Sequence, residues 1–395
     1  MNILIITHFG DDYSKTDNDR FLYLAKLLTK GNDVEIVTSD FQHTKKKHRK
    51  ESKDSWPFKI TYLHEPGYKK NVCLRRFYSH YVWGKNVEKY LKTKTPPDVI
   101  YCAVPSLTGP YKAAQYSKNN KSKFIIDVQD LWPEAFQMIF NIPIISKVIF
   151  YPFKWIADKI YSSADEIVAV SKTYAERALK VNKKCRMGHS VFLGTELEVF
   201  DGNAKKENIY KKENGEFWVG YCGTLGSSYD LTSVFDALDI LKKRGMHKVR
   251  FMVMGSGPRE TEFHEYAKSK NLNVTFTGRV PYDEMCALIS KCDVAVNPIM
   301  HNAAQSIINK HADYAAAGIP VVSTQESREY RTLVEKYHMG FNCQNGNAQE
   351  IADKIQKLIL SPEMKIEMGR NARKCAEEVF DRKVTYKKLK ELITG

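Results

Sequence analysis

Residues 309–328 place a lysine and an aspartate on a short helix that leads directly into a buried strand. Lys310 and Asp313 precede an Ala-Gly pair, where Gly318 suits a helix C-terminus and Pro320 prevents the helix from continuing. The valines that follow predict a strand. Such a junction puts Asp313 near the carboxyl edge of a parallel sheet, where α/β proteins bind nucleotides. Lys310 could balance a phosphate charge there, or it could belong to a solvated helix face.

Residues 221–230 (YCGTLGSSYD) form a second candidate site. An apolar strand is followed by a glycine-containing loop and by a helix that begins near Leu231. Gly223 and Gly226 would let the backbone approach a ligand, and the helix N-terminus would offer free N–H groups to a phosphate. A strand-to-helix loop also needs glycine for structural reasons, so both interpretations stay open. Residues 254–259 (MGSGPR) lack the third glycine of a dinucleotide fingerprint and predict a turn.

Two acids and a glutamine follow an apolar strand within residues 127–134 (DVQDLWPE). Because ligands of α/β proteins bind at the carboxyl ends of strands, Gln129, Asp130 and Glu134 are candidates for a binding site. Asp130 or Glu134 could accept the proton of an attacking hydroxyl group. Trp132 could stack on a sugar, or it could be a core residue.

The first strand-to-helix turn contains His8 and Arg20, together with the triplet Asp17-Asn18-Asp19. The triplet has the form of a DxD metal motif. Polar loops rich in aspartate produce such triplets by chance, so we interpret it as loop sequence and predict no metal site.

Alternating strands and helices must position these residues. Apolar segments predict strands at residues 2–7, 34–39, 98–103, 123–128 and 166–171, and then at 217–223, 249–255, 274–277, 293–298, 320–324 and 341–343. Helical segments separate them, as parallel pairing requires. The pattern predicts an α/β protein with two doubly wound, Rossmann-like domains, residues 1–200 and 201–377, followed by a helical tail.

Composition agrees with a folded two-domain chain that binds anions. The chain has 395 residues, 43% of them hydrophobic, and a net charge of +15. The charge favours nucleic acid, an acidic membrane or phosphorylated substrates, although it could simply aid solubility. Eight cysteines without a CxxC pair predict reduced thiols in cores. The N-terminus predicts a strand rather than a signal peptide, and no apolar run is long enough to span a membrane.

Three stretches, residues 127–134, 217–226 and 303–324, resemble family-4 retaining glycosyltransferases of the GT-B fold. Within that family they are similar to the O-antigen and capsule subgroup, which includes fucosamine transferases. The resemblance implies that the two domains face a cleft, with the acceptor in the first and the nucleotide sugar in the second. It also implies that a terminal helix, residues 378–395, crosses back to the first domain.

The resemblance assigns roles to individual residues. Gln305 and Asp313 stand where the family carries two glutamates, so Asp313 would bind the ribose, whereas Gln305 has lost the charge. The family's Arg and Lys in the first loop are absent here, which makes Lys310 the candidate to balance the diphosphate. The implied catalytic residues are Lys310, Asp130 and Gln305. The implied nucleotide-sugar contacts are Gly223, Thr224, Leu225, Gly226, Arg279, Val280, Ser306 and Asp313. The implied acceptor contacts are His8, Arg20, Gln129, Trp132 and Glu134.

The implied reaction moves a sugar from a nucleotide sugar, with UDP favoured, to a polyprenyl-diphosphate-linked glycan, without metal or cofactor. The basic residues 42–53 and the amphipathic residues 136–161 favour an anionic membrane surface as a partner, on the inner face of the cytoplasmic membrane. A solvated loop and a core helix are the alternatives for these two segments. The chain lacks RNA-binding motifs, so we expect no nucleic-acid partner. A UDP-sugar 2-epimerase and an inactive membrane-binding scaffold, which Gln305 would favour, remain as alternative functions.

Overall fold

A computed structural model describes residues 1–10, 13, 18–49, 56–71, 73–134, 143–301, 303 and 307–395, and for 143–147 it describes the backbone alone. The chain divides into two compact units. Unit 1 comprises Met1–Phe192 and Tyr386–Gly395, and unit 2 comprises Leu193–Thr385. The division therefore lies before residue 200, and the segment that returns to unit 1 begins after residue 378.

Unit 1 alternates strands and helices along the chain. Its strands are β1 (Asn2–Ile6), β2 (Asp33–Ser39), β3 (Phe41–Gln42), β4 (Lys47–His48), β5 (Lys59–Leu63), β6 (Val99–Val104), β7 (Lys123–Val128), β8 (Glu166–Ala169) and β9 (Gly188–Ser190). Its helices before residue 193 are α1 (Arg20–Leu28), α2 (Leu74–Lys92), α3 (Thr108–Asn120), α4 (Pro143–Ser163) and α5 (Lys172–Leu179).

The main sheet of unit 1 has the strand order β5-β2-β1-β6-β7-β8-β9, and every pair in it is parallel. Its central strand β6 is buried along its whole length, as expected for a sheet covered on both faces. Strands β3 and β4 form a separate antiparallel ribbon. The edge strands β5 and β9 were missed in the sequence because both are partly exposed and only weakly apolar.

Unit 2 follows the same plan. Its strands are β10 (Phe217–Cys222), β11 (Val249–Met254), β12 (Val274–Gly278), β13 (Val294–Asn297), β14 (Val321–Ser323) and β15 (Gly340–Asn342). Its helices are α6 (Leu197–Ala204), α7 (Leu231–Lys243), α8 (Glu260–Ser269), α9 (Tyr282–Ile289), α10 (Asn309–Ala316), α11 (Arg328–Tyr337), α12 (Ala348–Leu360), α13 (Pro362–Cys375), a π-helical turn (Ala376–Phe380) and α14 (Arg382–Thr385). The parallel sheet has the order β12-β11-β10-β13-β14-β15.

The end of the chain belongs to unit 1. Helix α15 (Lys387–Thr394) and the preceding Tyr386 bury apolar side chains in the same core cluster as Ile3 and Leu24. The predicted α/β fold with two Rossmann-like domains and a returning terminal helix is confirmed. Among the helices in the described part of the chain, none combines the length and the apolar character needed to cross a membrane.

Candidate functional site

The loop after β10 is held by tight backbone packing against the turn after β11. Gly223 has a φ of +144° and donates its N–H to the Met254 carbonyl at 2.9 Å. A Cβ atom on Gly255 would lie 1.8 Å from the Gly223 carbonyl oxygen, so only glycine fits at that crossing. Leu225 is fully buried, and its N–H donates to the Ser256 carbonyl at 3.0 Å. The loop is therefore a rigid, backbone-defined structure rather than a flexible connection.

Gly226 is different, because its surroundings are open. A Cβ atom there would meet only the Thr224 Cγ2 atom, at 3.6 Å, which is an ordinary contact. Thr224 itself is exposed. Helix α7 begins just beyond, where the Asp230 carboxylate caps the helix by accepting from the Ser233 N–H at 3.2 Å. The described loop thus offers an open backbone face between Gly223 and Gly226.

Lys310 approaches this loop from α10. It is 6% exposed, and its Nζ atom lies 4.2 Å and 3.9 Å from the ring centroids of Tyr221 and Tyr229. A Cβ atom on Gly223 would be 2.8 Å from that Nζ atom, so the ammonium group sits directly beside the loop. Among the described residues, Nζ has no hydrogen-bond partner. Burial lowers the pKa of Lys310 to about 7.

Helix α10 is fixed at the carboxyl edge of the sheet by its own polar side chains. The Tyr314 hydroxyl accepts from the Cys222 N–H at 3.0 Å, at the end of β10. His311 accepts from the Ile308 N–H at 3.0 Å and lies 2.9 Å from the Asn297 amide nitrogen at the end of β13. Neither His311 nor Tyr314 was singled out in the sequence, because a helical residue next to a candidate site gives no signal of its own.

Asp313 lies on the same helix but in a different environment. Its carboxylate accepts from the Tyr282 hydroxyl at 2.9 Å, and that hydroxyl is also 2.9 Å from the Thr195 hydroxyl. Burial raises the pKa of Asp313 to about 7, against the opposing effects of the Tyr282 hydrogen bond and the Arg382 charge. In this structure the carboxylate is thus satisfied within a buried polar cluster. Its assignment to the ribose stays a prediction.

The other predicted donor residues are distributed differently. Arg279 is exposed and Val280 half-buried in the turn that follows β12. Gln305 and Ser306 lie outside the described residues, so their assigned roles stay predictions.

In unit 1 the side chain of Arg20 is held by internal partners, and its predicted contact with the acceptor stays a prediction. Arg20 is 4% exposed and forms a paired interaction with Asp127, Nε to Oδ2 at 2.7 Å and Nη2 to Oδ1 at 3.2 Å. Its Nη1 atom donates to the Val191 and Phe192 carbonyls and to the Tyr386 hydroxyl. All three guanidinium nitrogens are therefore engaged inside the unit.

His8 is also held by internal partners. Its Nε2 atom is 2.9 Å from Glu65 and its Nδ1 atom is 2.6 Å from the Ser106 hydroxyl, while its ring stacks on Trp83 at 4.0 Å. Although burial opposes it, the pKa of Glu65 is held at about 2 by His8 and by hydroxyl donors. His8 therefore has no ring nitrogen left for an acceptor.

Among the residues after β7, some are held by internal contacts and others have polar atoms available to a ligand. Trp132 is buried, which favours the core interpretation. Glu134 accepts from the Arg177 Nε atom through Oε1 at 2.5 Å, whereas its buried Oε2 atom has no hydrogen-bond partner among the described residues. Asp130 accepts from the Leu131 N–H at 2.9 Å and from the Trp132 indole at 3.2 Å, and burial raises its pKa. Gln129 is half-buried and its amide lies 3.4 Å from Asp127, so Gln129, Asp130 and the Glu134 Oε2 atom retain capacity for a ligand.

Two groups of described residues have metal-ligand character, namely His8, Glu65 and His80, and Asp40, His48 and His64. His8 and Glu65 already satisfy each other by a hydrogen bond, and Asp40 pairs with His64 at 2.7 Å. Asp19 of the DxD-like triplet caps α1 by accepting from the Leu22 N–H at 2.7 Å. Asp17 lies outside the described residues.

Two Rossmann-like units, a glycine loop after the first strand of the second unit and a charged helix beside it define the GT-B class of fold. Solved structures with this fold include HepE of Anabaena in complex with UDP, with a TM-score of 0.74 and 16% identity over 100% of both chains. Sucrose-phosphate synthase of Thermosynechococcus elongatus gives a TM-score of 0.73 and 16% identity, covering 99% of this chain and 98% of that one.

Residues 203–375 match the family described as glycosyl transferases group 1. CapM of Staphylococcus aureus, a capsular polysaccharide biosynthesis glycosyltransferase, is 25% identical over 58% of this chain and 61% of its own length. An uncharacterized glycosyltransferase of Methanocaldococcus jannaschii is 21% identical over 62% of both chains. The chain thus spans about three fifths of the length of these curated relatives.

Proposed function

We propose that the protein is a retaining glycosyltransferase that moves a sugar from a UDP-sugar to a lipid-linked glycan during the synthesis of bacterial surface polysaccharide. The observation that carries the proposal is the buried Lys310 ammonium group, which lies beside Gly223 without a hydrogen-bond partner among the described residues. A buried cation without a partner is costly, and a diphosphate in the Gly223–Gly226 loop would supply the missing anion.

The chemistry follows from the leaving group. When the bond from the sugar to UDP breaks, negative charge develops on the diphosphate, and Lys310 would stabilise that charge in a site of low dielectric. In the proposed front-face mechanism the acceptor hydroxyl attacks from the side of the leaving phosphate, so no protein nucleophile is needed. Asp130, whose pKa burial raises, is the candidate to receive the hydroxyl proton.

UDP as the donor nucleotide is supported by comparison. HepE was crystallised with UDP and with UDP-glucose, and TarM of Staphylococcus aureus, which has a TM-score of 0.64 and 13% identity, was crystallised with UDP. The domain of unit 2 that carries Lys310 also matches the glycosyl transferases group 1 family. A metal-independent reaction is part of the proposal, since a lysine can balance the diphosphate instead of a cation.

A lipid-linked acceptor is supported by the surface of α4 together with the net charge of +15. Val148, Ile149, Tyr151 and Trp155 are exposed on α4 beside basic residues. Exposed aromatic and aliphatic side chains next to lysines are typical of helices that lie in the headgroup layer. CapM is named for capsular polysaccharide biosynthesis, in agreement with a glycan acceptor.

The test compares nucleotide binding and UDP release in the wild type, in Lys310→Gln and in the matched control Lys336→Gln, whose lysine is exposed on α11. We expect calorimetry to detect UDP binding in preference to GDP and ADP. Loss of one charge-assisted hydrogen bond should weaken UDP binding in Lys310→Gln roughly 10- to 100-fold. The control should bind as the wild type does. Incubation with UDP-sugars and an isoprenoid-linked acceptor should release UDP together with a transferred sugar.

The pH dependence of UDP binding provides a further test of the Lys310 site. Because free Lys310 has a pKa of about 7 and a bound diphosphate favours its charged form, UDP binding at pH 8 should take up a proton. Titrations in two buffers with different ionisation enthalpies measure this uptake, which should vanish in Lys310→Gln. Equal UDP affinity in wild type and Lys310→Gln would reject the site. Conversion of the UDP-sugar without transfer to an acceptor would replace the transferase with an epimerase.

A further inference from the structure

Unit 1 contains a group of cationic and aromatic side chains around Phe9, in which Arg76 and His80 have no role in the site described so far. The Arg76 guanidinium carbon lies 5.8 Å from the Phe9 ring centroid and 4.8 Å from that of Trp132. The rings of His43 and His80 lie 5.1 Å and 5.5 Å from the ring of Phe9. We name this group the Phe9 cluster, consisting of Phe9, His43, Lys46, Tyr68, Arg76, His80 and Trp132.

Two buried groups of the Phe9 cluster have unused hydrogen-bonding capacity. Arg76 is 8% exposed, and its Nε atom has no hydrogen-bond partner among the described residues. Its Nη1 atom donates to the Asn71 carbonyl at 2.8 Å. His80 is 4% exposed, and its Nε2 atom likewise has no partner in the described part of the chain. Native proteins rarely leave such atoms unsatisfied, which points to a ligand.

Positive charge accumulates at the same place. The Lys46 ammonium group donates to the side-chain oxygen of Asn71, and the Arg76 guanidinium group donates to the backbone carbonyl of the same residue. Both cations therefore contact Asn71. Burial and then the charge of Arg76 lower the pKa of Lys46 to about 8. The two segments that supply these cations, residues 43–49 and 69–76, contain no acidic residue. Like charges so close together favour an added anion.

Two carboxylates near the Phe9 cluster have other partners. The charge of Asp130 acts on Arg76, but its oxygens accept from the Leu131 N–H and the Trp132 indole. Glu65 accepts from His8 at 2.9 Å and from the Ser39 and Ser79 hydroxyls at 2.6 Å and 2.5 Å. Arg76 forms no ion pair with any described carboxylate. Phe9, His43 and Lys46 are each half-buried, so the cluster keeps a side on which a ligand can enter.

We propose that the Phe9 cluster binds the diphosphate of the acceptor, with Arg76 and Lys46 on the phosphate oxygens and the half-buried rings of Phe9 and His43 against the group attached to the phosphate. A guanidinium fork and an ammonium group together match a diphosphate better than a single carboxylate. The inference rests on the proposed glycosyl transfer for the identity of the acceptor. The donor diphosphate is assigned to the separate site at Lys310.

The test measures binding of farnesyl diphosphate and inorganic pyrophosphate by calorimetry in the absence of any donor. The variants are Arg76→Gln, Lys46→Gln and the matched control Arg75→Gln, whose neighbouring guanidinium is exposed. We expect Arg76→Gln to weaken binding of both ligands roughly 10- to 100-fold, Lys46→Gln to weaken it less, and Arg75→Gln to leave it unchanged. Vesicles of phosphatidylglycerol serve as a separate arm, and their binding should not depend on Arg76.

The possible results distinguish a diphosphate from a membrane headgroup, and the Phe9 cluster from the donor site at Lys310. Equal losses in Arg75→Gln and Arg76→Gln would mean attraction by diffuse surface charge and would overturn the proposal. Vesicle binding that depends on Arg76, without binding of either diphosphate, would also overturn it in favour of a membrane headgroup. UDP affinity should be unchanged in Arg76→Gln and reduced in Lys310→Gln. A failure of the donor site is therefore visible independently of the Phe9 cluster. Circular dichroism establishes whether each variant is folded. If Arg76→Gln does not fold, the loss of diphosphate binding in Lys46→Gln tests the proposal, because Lys46 is only half-buried.

Discussion

At the scale of single residues, Lys310 and Asp313 are two buried ionisable side chains on helix α10 that have different surroundings. Asp313 has a hydroxyl donor in Tyr282, whereas Lys310 has two aromatic faces and no hydrogen-bond partner among the described residues. Both pKa values are shifted to about 7 by burial. Each residue is therefore poised to change charge near neutral pH, and only Lys310 still requires a partner.

The first prediction at this scale is the effect of Asp313→Asn on stability. The pKa of Asp313 in the folded state, about 7, lies above its ordinary value of 3.8, so the native state holds an extra proton at pH values between these two. Stability is therefore lost as the pH rises through this window, by about 1.4 kcal/mol for each pKa unit at most. Asp313→Asn removes that loss. Its free energy of unfolding should match the wild type near pH 4 and exceed it at pH 8, as measured by urea denaturation.

The matched control is Asp353→Asn, where the carboxylate is exposed on α12. Removal of an exposed charge should change the free energy of unfolding little at either pH. If Asp313→Asn were less stable than the wild type at pH 8, the carboxylate would be ionised and stabilised in the fold. That result would contradict the burial argument.

At the scale of elements, the donor loop depends on how two strand-to-helix connections cross. Different constraints account for glycine at different positions of these connections. Gly255 has no room for a Cβ atom beside the Gly223 carbonyl, whereas Gly226 has room and an ordinary φ. Only approach of a ligand to the backbone would require Gly226.

The prediction that follows separates folding from binding. Gly255→Ala should lower the melting temperature clearly, because the Gly223 loop must move to remove the clash. Gly226→Ala should leave the melting temperature nearly unchanged but weaken UDP binding, since the methyl group would occupy the open face of the loop. Differential scanning fluorimetry and calorimetry measure the two effects. A normal UDP affinity in Gly226→Ala would show that the ligand does not approach this face.

The sequence was most informative about the helices and strands, and the burial of each strand limited which of them could be predicted. Continuous apolar segments such as β6 and β10 are readable because a parallel strand is buried on both faces. The edge strands β5 and β9 carry polar residues and were not predicted. The loop glycines and Lys310 could be located because the strand–loop–helix order is local. Tyr282 and Thr195, which surround Asp313, come from distant segments, and nothing in their own sequence context indicates that they meet.

At the scale of the whole molecule, unit 1 is assembled from both ends of the chain. Arg20 on α1 donates to the Tyr386 hydroxyl, and Lys123 on β7 donates to the Leu392 carbonyl at 2.7 Å. The internal contacts of Arg20 could not be predicted from the sequence, since its partners Asp127, Val191 and Tyr386 converge only in three dimensions. In the Phe9 cluster, Lys46 belongs to the basic segment 42–53, which favoured a membrane surface in the sequence, and Arg76 was not singled out.

The terminal helix is therefore predicted to be part of the folding unit rather than an appendage. Leu389 is fully buried in the core with Ile3 and Leu24, so Leu389→Ala should cost about 2–5 kcal/mol of stability in unit 1. Hydrogen exchange of intact protein measures this locally, and amides of β1 and α1 should lose protection. Lys388→Ala, on the exposed face of the same helix, should leave them protected. If β1 and α1 kept full protection in Leu389→Ala, the terminal helix would only cover the surface of unit 1, and the core would be complete without it.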